Sequence, residues 1–208
     1  MKKLFISVSL TIISFAAFSQ STFGVRAGLN IGALQGSAQG AGTSNTTGSH
    51  LSSLIEGYAD FRFGNFSLQP ALSLTGKGGN VTTGDGGVGQ FALHYFQIPV
   101  NLLYHIPVAV NDLYFGGGPY LAFGTGGTLS VNGPAGVDSE DVTYGGNGDF
   151  SNNDSGIDMI AGLKLKSRWV FNLSYDLGLS NILNANGPES GLGTIKTRTF
   201  GFSAGYAF

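Results

Sequence analysis

Residues 23–32 read Phe-Gly-Val-Arg-Ala-Gly-Leu-Asn-Ile-Gly, and this alternation decides the fold. Every second residue is apolar, and the residues between them are glycine, arginine or asparagine. A β-strand points successive side chains to opposite faces, so the stretch predicts a strand with one apolar face and one small or polar face. In a soluble sandwich the apolar face points inward. In a membrane barrel it faces lipid, and the polar face lines the lumen.

Seven further segments repeat the pattern and predict seven further strands. They are residues 54–63, 66–77, 95–106, 113–124, 157–166, 169–179 and 194–208. Gly64-Asn65 predicts a two-residue type II′ hairpin turn. The expected connections alternate between short ones, near 64–65, 107–112 and 166–168, and longer ones, near 33–53, 78–93, 125–156 and 180–193. Short periplasmic turns and longer external loops are typical of outer-membrane barrels, so we expect both termini on the periplasmic side.

The charged residues follow the same division between two faces. Those expected on the polar face are Arg26, Glu56, Asp60, Arg62, Lys77, Asp158, Lys164, Lys166 and Asp176. A charge on the lipid face costs about 2–4 kcal/mol at the bilayer midplane, so this segregation favours a membrane barrel over a soluble sandwich. Lys196 and Arg198 have lipid-facing parity, and we expect them at the outer interface near lipid phosphates. The predicted fold is an all-β, eight-stranded antiparallel transmembrane up-and-down β-barrel.

Composition excludes several classes of function. Glycine supplies 35 of the 208 residues, there are no cysteines, and the net charge is −2. A disulfide framework and a thiolate metal site are therefore impossible, and nothing indicates a nucleic-acid partner.

The first twenty residues have the features of a secretory signal peptide. Lys2 and Lys3 precede an apolar run over 4–18, and Ala17-Phe-Ser19 fits a small-x-small cleavage rule. The alternative is an uncleaved anchor helix, for which the apolar run is short, since a spanning helix needs about 20 apolar residues. We expect cleavage near Ser19/Gln20, a single barrel domain over 21–208, and a location in the outer membrane of a Gram-negative bacterium.

Several segments in order resemble a known family, the outer-membrane β-barrel domain often labelled porin family or PorT-like. They are Phe23–Asn30, Leu68–Leu72, Tyr95–Tyr104, Gly118–Leu121, Tyr175–Ile182 and the final strand. The resemblance implies a small barrel with no common catalytic activity, and one alternative role in an outer-membrane export or assembly complex. A lumen-facing Lys near Leu103 and an Arg near Ser174, frequent in the family, are absent here. Tyr206 and Phe208 resemble the C-terminal signal read by the outer-membrane assembly machinery.

We expect a polar network in the lumen. Its members are Arg26, Asn30, Glu56, Asp60, Arg62, Asp158, Lys164 and Asp176. If the first hairpin pairs Arg26 with Asp60, Asn30 faces Glu56. Buried charges need partners, so the network is interpreted as structural, with a proton or ion path as the alternative. An eight-stranded barrel is too narrow for an open solute pore.

An enzyme would need a nucleophile, a base and an orienting group. His50 and His94 are expected at external loop–strand junctions, with Ser49, Ser52 and Ser53 beside His50, and Asp85 before His94. His105 is expected in the lumen. This spacing matches no triad motif, and rim histidines are usually polar surface residues.

The third external loop is rich in carboxylates. They are Asp138, Glu140, Asp141, Asp149 and Asp154. Such a cluster either holds calcium or forms a solvated acidic loop, and the order fits no EF-hand. The run Gly116–Gly118 lacks the context of a nucleotide-binding motif.

The sequence therefore predicts a non-enzymatic barrel, without cofactor or metal, that presents external loops for recognition or structural roles. Its expected partners are outer-membrane lipids, the assembly machinery through the C-terminal strand, and an unidentified extracellular ligand or export partner. A lipid-modifying enzyme is the less favoured alternative.

Overall fold

The computed structural model describes residues 20–37, 44–46, 48–82, 88–108, 111–133, 136–145, 148, 150–184 and 194–208. Regular structure in these residues is entirely β. The strands are β1 (Gln20–Ser37), β2 (Ser44–Thr46), β3 (His50–Phe63), β4 (Phe66–Thr82), β5 (Val88–Val108), β6 (Asn111–Gly133), β7 (Gly136–Asp141), β8 (Asn153–Lys164), β9 (Trp169–Gly178) and β10 (Thr194–Ala207). No helix in this part of the chain has the length and apolar character needed to cross a bilayer.

Eight of these strands form a closed antiparallel barrel. Its strands follow one another in the order β1, β3, β4, β5, β6, β8, β9 and β10. The barrel closes where β1 pairs with β10, from Gly24 opposite Ala207 to Ser37 opposite Thr194. The short strands β2 and β7 add to β1 and β6 outside the ring. The eight-stranded antiparallel barrel predicted from the alternation is confirmed.

Large apolar side chains cover the outer wall, as the alternation predicts. Phe23, Leu29, Ile55, Leu72, Leu102, Phe171 and Phe202 are examples, each exposed on the outside. The polar residues between them are buried in the lumen, including Arg26, Gln97, Asn101, Asp158 and Asp176. An outward apolar wall around a polar interior is typical of a membrane-embedded barrel.

Several strands are longer than predicted. β4 continues to Thr82 and β5 begins at Val88, so most of the expected loop over 78–93 is paired strand. β6 continues to Gly133, into the expected loop over 125–156. Stretches of these extensions such as Gly78-Gly-Asn80 and Thr125-Gly-Gly-Thr128 lack the apolar alternation that marks the rest of the wall, although the backbone pairing continues. At Gly78 a Cβ atom would clash with the carbonyl oxygen of Phe91, so this close approach requires glycine.

The two ends of the barrel differ, and we name them by their connections. The short-turn end carries the connections at 64–65, 109–110 and 165–168, together with Phe208. Gly64 has φ +64°, in agreement with a type II′ turn. The long-loop end carries the other connections.

Candidate functional site

The centre of the lumen is built around the ion pair between Arg26 and Glu56. Both side chains are buried, and Arg26 also donates to Gln69 Oε1 at 3.3 Å and lies 5.1 Å from the ring centre of Tyr58. A buried guanidinium with a carboxylate, an amide and an aromatic face around it holds its charge through several partners, which a buried ion pair requires.

The expected pairing of Arg26 with Asp60 and of Asn30 with Glu56 was wrong. In the observed register Arg26 is opposite Glu56, Asn30 is opposite Ser52, and Asp60 is opposite Thr22. The error shifts the strands by four residues. A shift by an even number leaves every side chain on its face, so alternation cannot detect it.

A second group of polar residues completes the central layer. Asp158 and Asp176 are opposite each other on β8 and β9. Asn101 Nδ2 donates to Asp158, and Gln97 Nε2 donates to Asp176 at 3.0 Å. Asn30 Nδ2 donates to Thr75 Oγ1 at 2.7 Å. Between these groups lies a cavity of about 20 Å³, which is room for about one water molecule and not for a solute.

Lys77 forms the next layer toward the long-loop end. The sequence predicted that it lies on the polar face but did not include it in the lumen network. The side chain has 0% exposure, and Nζ lies 3.1 Å from Asp154 and 3.4 Å from Asp176. It also lies 4.1 Å from the ring centre of Tyr120. Asp154 accepts further hydrogen bonds from Tyr120, Thr197 and Ser180 hydroxyls.

The assignment of Asp154 to a solvated acidic loop was therefore wrong. β8 begins at Asn153, so Asp154 lies inside the barrel and is buried. Glu140 and Asp141 are exposed on or beside β7, whereas the side chain of Asp138 and the whole of Asp149 lie outside the described residues. Across the described ranges, no three His, Cys, Asp or Glu side chains are arranged to hold a metal ion.

An apolar plug covers the Lys77 layer at the long-loop end. It consists of Val142, Tyr144, Phe150, Ile182 and Leu183, which pack on Tyr95, Tyr120 and Ala122 of the wall. Burial raises the pKa of the Tyr144 hydroxyl to about 12. These apolar residues cover the polar layer, so the described part of the chain closes the lumen at this end.

The short-turn end contains a chain of hydrogen bonds through His105. Ser67 Oγ lies 2.8 Å from His105 Nε2, and His105 Nδ1 lies 2.8 Å from Asp112 Oδ2. Arg62 then contacts both oxygens of Asp112, at 2.8 and 3.4 Å. The order of groups is that of a serine hydrolase triad. Ser67 is fully buried, however, so a substrate carbonyl has no route to its oxygen.

The histidines singled out at the rim form no such arrangement. His50 begins β3 and contacts Gln90 Nε2 through Nδ1 at 2.7 Å, and Ser52 donates to the carbonyl oxygen of Gly76 at 2.7 Å. His94 is exposed on β5. Ser49, just before β3, and Ser53, within β3, are exposed as well, and Asp85 lies outside the described residues. The structure therefore brings together a serine, a histidine and an aspartate in the lumen, and not at the rim.

The remaining residues of the expected network lie near the short-turn end. Asp60 is buried, and its Oδ1 has no hydrogen-bond partner among the described residues. Lys164 ends β8 and is half-buried. Lys166 does not lie in the wall as expected, because the chain turns at 166–167, where its side chain is exposed. Arg198 was not part of this network; it lies near the start of β10, at the long-loop end, and donates to the carbonyl oxygens of Gly178 and Thr197.

The lumen also holds an apolar cluster that alternation alone did not reveal. Its members are Leu103, Tyr114, Ile160, Val170 and Ala207. Leu103 lies where the resembling family frequently carries a lysine, so an apolar side chain takes the place of that charge.

The final strand ends in an aromatic group on the outer wall. Tyr206 contacts Trp169 and Phe208, with ring centres 6.0 and 5.6 Å apart. Phe208 N donates to the carbonyl oxygen of Phe23, which ties the last residue to the first wall strand.

Comparison with known proteins gives one family match and several similar structures. The family model described as an outer membrane protein beta-barrel domain matches residues 18–184. No curated protein matches the sequence.

Three solved structures illustrate the structural similarity. Ail of Yersinia pestis has 15% identity, 90% coverage of this chain, 99% of its own and a TM-score of 0.43. The Neisserial surface protein A has 13% identity, with 89% coverage of this chain, 97% of its own and a TM-score of 0.47. The N-terminal β-barrel domain of Pseudomonas aeruginosa OprF has 11% identity, with 91% coverage of this chain, 100% of its own and a TM-score of 0.35. The barrel described above follows from this chain's own strand pairing.

Proposed function

This chain belongs to the outer membrane protein β-barrel domain family, and from that membership we propose a non-enzymatic, non-conducting barrel that presents its long-loop end for recognition. The short-turn end then faces the periplasm, and residues 21–208 form the mature domain after removal of a signal peptide. The C-terminal strand with Tyr206 and Phe208 serves as the contact for the assembly machinery.

The observation that carries this proposal is the closed lumen. The polar side chains of the central layers engage one another, and the apolar plug covers them at the long-loop end. A channel would need a continuous wet path, and a hydrolase would need access to a nucleophile. The central cavity of about 20 Å³ supports neither. The extended strands β4, β5 and β6 instead place paired backbone beyond the outer apolar wall.

The orientation can be tested with single cysteines, because the chain contains none. Glu140→Cys lies at the long-loop end and Ser167→Cys at the short-turn end, and both positions are exposed. We expect a membrane-impermeant maleimide to label Glu140→Cys on intact cells and to label Ser167→Cys only after the outer membrane is permeabilised. The reverse pattern would overturn the presentation of the long-loop end.

Two assays on purified protein test the other parts of the proposal. We expect no step conductance in planar bilayers and no release of fatty acid from phospholipid or lipopolysaccharide. Reproducible conductance would replace this function with transport, and turnover lost in Ser67→Ala would replace it with hydrolysis. A photo-crosslinker at Glu140 should capture surface partners, with the same probe at Ser167 as the matched control. A stable multiprotein complex captured from Ser167 alone would indicate an export component instead.

A further inference from the structure

The short-turn end has a concentration of positive charge that the proposed function does not use. Four basic residues line one concavity of about 360 Å³ there, namely Arg62, Lys164, Lys166 and Arg168. The whole chain has ten Lys and Arg residues. Lys2 and Lys3 belong to the expected signal peptide, and Arg26 and Lys77 are ion-paired in the lumen. The concavity therefore gathers half of the cations that remain after cleavage.

Three of these four cations are not neutralised within the described part of the chain, and Arg62 is the exception. Asp112 is the carboxylate of the concavity, and it is opposite Lys164 on the neighbouring strand. Its oxygens contact Arg62 of β3 and His105 of the adjacent strand β5 instead. Lys164, Lys166 and Arg168 form no ion pair with any carboxylate in the described part of the chain. The lining thus combines one engaged acid with three free cations.

Arg168 supplies a further observation. Among the described residues, Arg168 is the one non-glycine residue with a positive φ, at +70°. The turn is closed by Arg168 N donating to Leu165 O and Leu165 N donating to Trp169 O. Glycine is the favoured residue at such a position, since a side chain in the left-handed region costs about 1–2 kcal/mol. The arginine therefore adds charge to the concavity at a position where glycine would suit the backbone better.

We propose that this concavity is a binding site for a phosphate-type oxyanion. Lys164 and Arg168 would contact the anion, Lys166 would add charge at the lip, and Arg62 would border the site while holding Asp112 away from it. A planar guanidinium and an ammonium are suited to bind several oxygens on one centre. The anion is either free phosphate or a phospholipid headgroup of the adjacent leaflet. Binding of the anion does not depend on the proposed function. The proposed orientation decides only which leaflet of the outer membrane lies next to the concavity.

The test uses the folded full-length barrel in dodecyl maltoside, which contains no phosphate. Calorimetry with inorganic phosphate at low salt should give saturable binding that weakens as sodium chloride is added. Lys164→Gln should weaken binding about fivefold, as expected for one partly exposed charged contact. Lys196→Gln is the matched control, because it removes one cation from β10, outside the concavity, and it should change binding less than about twofold.

Arg168→Gly separates binding from folding. It removes the guanidinium while relieving the backbone, so phosphate should bind about fivefold more weakly while the barrel unfolds at the same or higher denaturant concentration. Ser167→Ala keeps all charges in the same turn and should bind as the wild type does.

Native mass spectrometry with phosphatidylglycerol identifies the source of the anion. Retained lipid that phosphate displaces, and that Lys164→Gln and Arg168→Gly lose, assigns the site to a headgroup. Phosphate binding without lipid retention assigns it to a free anion. The proposal is overturned if wild-type protein binds neither probe, or if Lys164→Gln and Arg168→Gly bind both as tightly as wild type. None of these results depends on the orientation of the barrel in the membrane, which the cysteine-labelling experiment tests separately.

Discussion

Replacing Lys77 with methionine should destabilise the barrel strongly, although the side chain makes no contact with lipid or water. Methionine has a similar length and fills the same space, so the main change is loss of the charge. Asp154 and Asp176, at 3.1 and 3.4 Å, then remain buried without their shared cation. Removing one partner of a buried ion pair costs about 3–5 kcal/mol.

The hydrogen bonds that the two carboxylates keep place the expected loss in the free energy of unfolding within this range. Asp154 keeps hydrogen bonds from Tyr120, Thr197 and Ser180, and Asp176 keeps the one from Gln97. Each charge-assisted hydrogen bond offsets part of the desolvation of the carboxylates. We therefore expect about 3 kcal/mol, at the lower end of the range for a broken buried pair. Lys77→Met/Asp154→Asn should recover a large part of this loss, because one uncompensated charge is gone and the amide oxygen can still accept from Tyr120 and Thr197, which share Oδ2 of the aspartate.

The assay is equilibrium unfolding by guanidinium in lipid vesicles, followed by tryptophan fluorescence. Trp169 is the one tryptophan of the chain and is 51% exposed on the outer wall, so its emission reports transfer from lipid to water. Lys166→Met, in the exposed turn, is the control and should stay within about 0.5 kcal/mol of wild type. A loss below about 1 kcal/mol for Lys77→Met, the size of an ordinary surface effect, would refute the reasoning that the Lys77 layer depends on charge compensation.

Four other outcomes are expected in the same unfolding assay. Arg26→Met should cost about 3 kcal/mol, and Arg26→Met/Glu56→Gln should cost less than the single change, because no charge is then left unpaired; equal losses would exclude the pairing. Leu102→Arg, half-exposed on the outer wall, should cost about 2–4 kcal/mol, whereas Glu140→Arg on β7 should be nearly neutral; a tolerated arginine at 102 would place that face outside lipid. Phe150→Ala should cost about 3 kcal/mol through loss of packing in the plug, yet the protein should remain non-conducting because the Lys77 layer lies beneath; step conductance in this variant would assign closure to the plug alone. Ser67→Ala should cost about 1 kcal/mol for one hydrogen bond to His105; no change at all would show that the contact contributes nothing to stability.

The sequence predicts the wall better than it predicts the interior. Residues such as Phe23, Leu29 and Phe202 are apolar because each one contacts lipid, whichever strand is its neighbour. The number of strands and the face on which each side chain lies can therefore be read from the sequence alone. Pairing between strands is different. The error that placed Arg26 opposite Asp60 preserves every facing, and only the contacts across the lumen distinguish it from the observed register.

The missed interior contacts have a shared cause. Lys77 and Asp154 are 77 positions apart in the chain, and Ser67, His105 and Asp112 come from three strands. No local spacing links such residues, because the closed sheet brings them together only after all strands have paired. Asp154 also lay in an expected loop, since the start of β8 carries small and polar residues in place of the apolar alternation.

The uneven height of the wall has a consequence for the cost of recognition. β6 has 23 residues and β9 has 10, a difference of 13 residues, which at about 3.3 Å per residue is roughly 40 Å of strand. Paired backbone on the tall side has already lost most of its conformational freedom during folding. A ligand that lands on β4, β5 or β6 would pay little further ordering entropy, so even a small contact area there would translate more fully into affinity than the same area on a loose loop.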